Sequence, residues 1–134
     1  METTVIVNLM IEATEESLYV NLRDGHIEIS GRSIPEDPVK NFSPIVDWVK
    51  EYSINPNTNT TINLKFEYLN TSSSKFILSI LEILNKVYSE QNKMTINWSY
   101  EVGDDDMYEL GKFFETMIQI PINYIEVEES IDHF

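Results

Sequence analysis

The chain contains no cysteine, which removes disulfides, thiolate catalysis and thiolate metal sites from consideration at once. Glycine is also scarce, with four residues in 134, and neither a glycine-rich phosphate loop nor a Gly-x-Ser-x-Gly elbow occurs. Basic residues are few and scattered. Nine Lys and Arg stand against 23 Asp and Glu, for a formal charge of −14. Nucleic-acid binding needs clustered Lys and Arg against the phosphates, so that class of partner is not expected. An acidic surface favours basic protein partners instead. No apolar run reaches the 18 or more residues of a membrane span, so no membrane insertion is expected. The N-terminus has no basic region before its first apolar run, Val5 to Ile11, and the expected location is the cytoplasm. His26 and His133 are the only histidines, and they do not form a metal-ligand spacing. No nucleophile–base pair is visible, so no enzyme activity, cofactor or metal is expected.

What remains is the composition of a globular protein, 42% apolar and 11% aromatic, long enough for one domain over residues 1–134. Two short strand-like runs, Leu18 to Leu22 and His26 to Ser30, flank Asp24-Gly25, a hairpin signal. In the second run Ile27 and Ile29 alternate with His26, Glu28 and Ser30, which implies one buried face. Pro35, Asp37 and Pro38 lead into a helix over about 39–52, whose stripe is Phe42, Ile45, Val46 and Val49. Asn55-Pro56-Asn57-Thr58-Asn59 stops it. A strand follows over 60–69, with Ile62, Leu64, Phe66 and Tyr68 on one face. The next helix runs to about Glu90 along Ile77, Ile80, Leu81, Leu84, Val87 and Tyr88. Met94 to Val102 is a further strand, Gly103-Asp104-Asp105-Asp106 opens a helix through Met117, and Ile122 to Val127 is the last strand. The first few residues and the stretch from Glu128 to Phe134 are expected to fray.

Strands separated by helices imply right-handed crossovers and a parallel portion of sheet. The expected fold is α/β: a mixed sheet with an N-terminal antiparallel hairpin followed by three helix–strand units, helices packed on the sheet.

One constellation carries a mechanism. Thr71-Ser72-Ser73-Ser74 puts four hydroxyls where a strand ends and an amphipathic helix begins, at the carboxyl edge of a parallel sheet where sites concentrate. A phosphoryl group there adds about −1.5 to −2 charges beside unpaired helix N–H donors. Ser and Thr are also the preferred caps of any helix, and on pattern alone the run reads first as a cap. Asp104-Asp105-Asp106 does not have the ligand spacing of a calcium loop. Acids at a helix start answer the macrodipole.

Three stretches bear on this choice. They are Ile29 to Glu36, with Gly31 and then Pro35-Glu36; Pro44 to Val49; and Phe66-Glu67-Tyr68-Leu69-Asn70-Thr71-Ser72-Ser73. Together they resemble the SiaC family of bacterial biofilm-regulation phosphoproteins, over about residues 12–124, with Tyr-Leu-Asn-Thr-Ser-Ser the most specific part. The resemblance implies a fold similar to the anti-sigma-factor antagonists, STAS-like domains with a core of about 12–127. It implies a phosphorylated threonine at Thr71, framed by Asn70, Ser72 and Ser73. It further implies a partner serine/threonine protein kinase, a metal-dependent protein phosphatase acting on Thr71, and a diguanylate cyclase as the partner of the unphosphorylated form. Glu36 and Trp48 also match the family pattern and are candidates for partner binding. Trp48 lies one position from the Ile45/Val49 stripe, which leaves partial exposure and packing at the core edge as alternatives. Against the phosphoswitch stands a constitutive assembly module, a homodimer in which the Thr/Ser run is only a cap.

Overall fold

The computed structural model describes residues 6–128. Six strands and three helices follow the chain as β1 (Leu9–Ile11), β2 (Tyr19–Arg23), β3 (His26–Ser33), α1 (Pro38–Tyr52), β4 (Asn59–Leu69), α2 (Thr71–Asn85), β5 (Lys93–Glu101), α3 (Asp105–Glu115) and β6 (Ile122–Val127). They form one sheet whose spatial order is the order of the sequence. β1 pairs antiparallel with β2 and β2 with β3, while β3 to β6 run parallel. This is the expected mixed α/β architecture.

Each parallel connection steps in the same direction, and right-handed crossovers then put all three helices on one face of the sheet. Burial agrees with that placement. Val20, Leu22, Ile27, Ile29, Ile62, Leu64, Phe66, Met94, Ile96 and Trp98 are buried, and the alternate residues of the same strands are not. Those alternate residues form a polar outer face. Across it, Asn123 donates to Asn97 and Asn97 to Asn63, at 3.3 and 2.8 Å.

The hairpin closes at Asp24-Gly25 as expected, with Arg23 opposite His26. Gly25 has φ +77°, and a Cβ there would stand 3.2 Å from the Asn59 carbonyl oxygen. Both conditions favour glycine. The buried Tyr52 hydroxyl accepts from the backbone N–H groups of Gly25 and Asn57 and pairs with Thr60 at 2.7 Å, tying the end of α1 to the hairpin and to β4. The core between sheet and helices is aromatic. Phe42 of α1 stacks on Phe76 of α2 at 4.9 Å, and Trp98 meets Phe66 and Phe114 edge-on at 5.6 and 5.5 Å. The Trp98 indole N–H donates to the Met107 carbonyl of α3, which settles its one polar atom.

The structure departs from the sequence expectations at four places. Leu9–Ile11, inside the first apolar run, is a strand, held by pairing of Leu9 with Leu22 and Ile11 with Val20. Tyr68 does not share the face of Ile62, Leu64 and Phe66. Gly31 pairs with Phe66 but Arg32 pairs with Tyr68, so Glu67 is an extra residue, a bulge that inverts the alternation. Tyr68 is therefore 48% exposed and Leu69 turns toward the core. The helix expected to reach Glu90 ends at Asn85, whose side chain accepts from the backbone N–H groups of Gln119 and Ile120. Val87 and Tyr88 still pack on the core, but from a turn. The last helix likewise ends at Glu115, before Met117. The ends expected to fray, and His133, lie largely or wholly outside the described residues.

Candidate functional site

The parallel strands β3, β4 and β5 all point their carboxyl ends at one edge of the molecule, and each is followed there by a helix cap. Asp37 caps α1 by accepting from the Lys40 N–H, Asn70 caps α2 by accepting from the Ser73 N–H, and Asp104 caps α3 by accepting from the Met107 N–H. The acidic run Asp104–Asp106 is thus a cap followed by first-turn acids, the placement that a helix macrodipole favours. No group of three or more His, Asp or Glu side chains is arranged to hold a metal among the described residues.

The hydroxyl run separates into four different situations. Ser73 is fully buried. Its hydroxyl pairs with that of Ser33 at the end of β3 at 2.7 Å, and it lies 3.2 Å from the Ser33 carbonyl. The same carbonyl accepts from the Asn70 N–H at 3.1 Å, so one residue of β3 anchors both the cap and the third helical position. Ser72 donates to the Asn70 carboxamide oxygen at 3.3 Å. Ser74 donates back to the Thr71 carbonyl at 2.9 Å. Thr71, the first helical residue, is exposed, and the cap is supplied by Asn70 rather than by its own hydroxyl. A first-position residue also has its backbone N–H outside the intrahelical ladder. Lys75, exposed as well, stands one turn further along the helix at the spacing where side chains meet.

Around Thr71 the edge combines acids with uncovered apolar side chains. Ile34 and Val39 flank the β3–α1 loop, Tyr68 precedes the cap, and Val102 follows β5, all of them exposed. The Arg32 guanidinium lies 5.9 Å from the Tyr68 ring centroid, within cation–π range. Glu36 is exposed in the β3–α1 loop, on the wall of a shallow cleft shared with Glu16, Asp37 and Lys40. Asn70, Thr71, Ser72 and Glu36 therefore belong to one edge.

Trp48 does not. It is 7% exposed, stacks on Tyr52 at 5.0 Å, and its indole N–H donates to the Val7 carbonyl at 2.6 Å. Of the two alternatives for Trp48, packing at the core edge is the one realised, and its indole offers no free contact surface. Ser73 is also out of reach of any partner, and its part is to brace the site from beneath. Ser33 is the site residue that sequence reasoning missed. It lay inside the Ile29–Glu36 stretch, but only the β3–β4 register shows that it meets Ser73, 40 positions away.

The groups with shifted pKa values lie elsewhere, where β5, α3 and β6 meet. Partial burial and a 2.6 Å hydrogen bond to Glu115 push the Tyr124 phenol far up. That bond, with help from Lys112, holds the Glu115 carboxyl below its usual range.

Known proteins resemble this one over most of the chain. An uncharacterized protein of Pseudomonas aeruginosa strain UCBPP-PA14 is 27% identical over 97 residues, 72% of this chain and 77% of that protein. The solved structure of SiaC of Pseudomonas aeruginosa superposes with a TM-score of 0.80 at 24% identity, covering 90% of this chain and 99% of that one. A second structure, of diguanylate cyclase SiaD in complex with its activator SiaC from the same organism, also gives 0.80 at 24% identity, over 89% and 99% of the two chains. At that identity the likeness speaks for the fold. The family profile described as SiaC family regulatory phosphoprotein matches residues 11–127, nearly everything the structure describes. With that match on a fold of the same shape, the chain belongs to the SiaC family of regulatory phosphoproteins, a family of regulators rather than enzymes.

Proposed function

We propose that this protein is a phosphorylation-controlled binding module, with Thr71 as the modified residue and the carboxyl edge of the sheet as the surface that a signalling partner reads. The observation that carries the reading is the sorting of the hydroxyls: Ser73 is buried and Ser72 and Ser74 are engaged, while Thr71 is exposed and is not the cap. A kinase can reach Thr71 without opening the fold. The family description as a regulatory phosphoprotein supports the same reading.

The energetics suit a switch. The unphosphorylated edge presents Ile34, Val39, Tyr68 and Val102, apolar area that a partner can cover. A phosphate at Thr71 places a strongly hydrated dianion on the same edge. Desolvating that charge without a cation opposite costs several kcal/mol, and each ~1.4 kcal/mol is about tenfold in affinity. The helix itself tolerates the group, because its N-terminus favours negative charge and Lys75 stands one turn away. Phosphorylation then changes who docks and leaves the fold intact.

The proposed partners are a serine/threonine kinase and a metal-dependent phosphatase that set the state of Thr71, and a diguanylate cyclase that the unphosphorylated form binds. The solved SiaD–SiaC complex of the related Pseudomonas protein supports the last of these. The test is intact-mass analysis and peptide mapping of protein from its native host. It is followed by binding of phosphorylated and unphosphorylated forms to the host's diguanylate cyclases. One phosphate at Thr71 and at least a tenfold weaker complex are expected. An unmodified Thr71 under all growth conditions, or equal binding by both forms, refutes the reading.

A further inference from the structure

The sheet ends in two unlike edges. β1 is three residues long, which by itself blunts that side. β6 has six residues, contains neither proline nor lysine, and pairs with β5 without a register break. The usual devices that stop an edge from recruiting another strand are missing there, except for charge.

The direction of its backbone groups follows from the β5 pairing. The carbonyls of Pro121 and Val127 accept from the Ile96 and Val102 N–H groups, so the odd-numbered residues address β5. Successive residues alternate, so Ile122, Tyr124 and Glu126 turn their N–H and C=O groups outward, with no further strand of the sheet beyond them among the described residues. Side chains decide what could pair there. On the helix-bearing face, Tyr124 lies beside Tyr108 at 5.2 Å, and the Lys112 ammonium sits 4.8 Å from its ring centroid. Glu115 and Glu126 flank that aromatic row, and Lys112 is already shared with Glu115 at 3.3 Å. On the other face, Ile125 is exposed beside Asn123.

We infer that β6 is a second interaction surface, which accepts by strand addition an extended partner segment alternating basic and β-branched residues. Basic side chains of such a segment fall against Glu126 and the tyrosine faces, and β-branched ones against Ile125. The occupant is a cationic segment rather than a second copy of the chain, because pairing two such edges brings together two molecules of charge −14. The surface lies two strands away from β4, which leads into Thr71, and does not depend on the state of that residue.

The probe is the acetylated octapeptide (Lys-Val)4, followed by backbone-amide NMR of the full chain. Binding is expected to slow exchange of the Ile122, Tyr124 and Glu126 amides at least tenfold. Glu126→Pro, which removes one outward N–H and leaves the β5 ladder untouched, is expected to weaken binding at least tenfold. A peptide N-methylated on its pairing edge is expected not to bind the native protein, which decides the matter even if the proline variant folds poorly. Equal binding of the N-methylated peptide would mean charge attraction alone and would overturn the inference. So would absence of binding, or self-association of the native protein that Glu126→Pro abolishes.

Discussion

Replacing Asn70 and Thr71 separately by alanine distinguishes a cap from a switch. The Asn70 side chain accepts the Ser73 N–H at 2.9 Å and the Ser72 hydroxyl at 3.3 Å, and its own N–H is held by Ser33 through the backbone, which the substitution leaves in place. Loss of an N-cap side chain costs about 1 kcal/mol, in a range of roughly 0.5–2. The 3.3 Å contact from Ser72 is long and adds little, since that hydroxyl can turn to water. For a domain of this size, 1 kcal/mol lowers Tm by about 4 °C. Thr71→Ala removes an exposed hydroxyl that does not serve as the cap, and alanine is the better helix former, so its expected effect is within about 0.5 kcal/mol of zero. Paired urea denaturation curves with unchanged slope measure both quantities. If Thr71→Ala destabilises as much as Asn70→Ala, the threonine hydroxyl is structural. The assignment of capping to Asn70 would then be wrong, and the assembly-module reading would gain.

Two further outcomes follow from particular contacts. Gly111→Ala is expected to destabilise by about 1–3 kcal/mol in spite of the ~1 kcal/mol that alanine gains in a helix; its Cβ would stand 2.7 Å from the Trp98 indole nitrogen. Loss of the bond to Met107 should appear as a change in Trp98 near-UV circular dichroism alongside the lower urea midpoint. Tyr124→Phe removes the hydrogen bond that lowers Glu115, so the Glu115 pKa, followed by carboxyl NMR titration, should rise toward its ordinary value of 4.5. A carboxyl depressed in the folded state contributes stability that is complete above its unfolded pKa and vanishes as pH falls through the folded one. The variant should therefore lose less stability than the native protein on acidification through that interval. An unchanged Glu115 titration would show that the Tyr124 bond is not its cause.

Much of the architecture was legible in the sequence because it rests on local periodicity. Alternation of Ile27 and Ile29, the Asp24-Gly25 turn, the Ile77–Leu84 stripe and the hydroxyl-rich start of α2 are each set by neighbours within a few residues, and each appears where the pattern puts it. The position of the hydroxyl run at the carboxyl edge of a parallel strand followed from element order alone. What tertiary structure decided concerns residues whose surroundings come from distant parts of the chain. The bulge at Glu67 exists only relative to β3, so no count along β4 could turn Tyr68 outward. Trp48 is hidden because the Val7 carbonyl, 41 positions earlier, accepts its indole N–H. The distinction between one accessible hydroxyl and one buried one depends on Ser33, which a parallel register places beneath Ser73. Local pattern determines which element a residue joins, whereas exposure and bonding are properties of what packs against it, and here those decide which oxygen a kinase could reach.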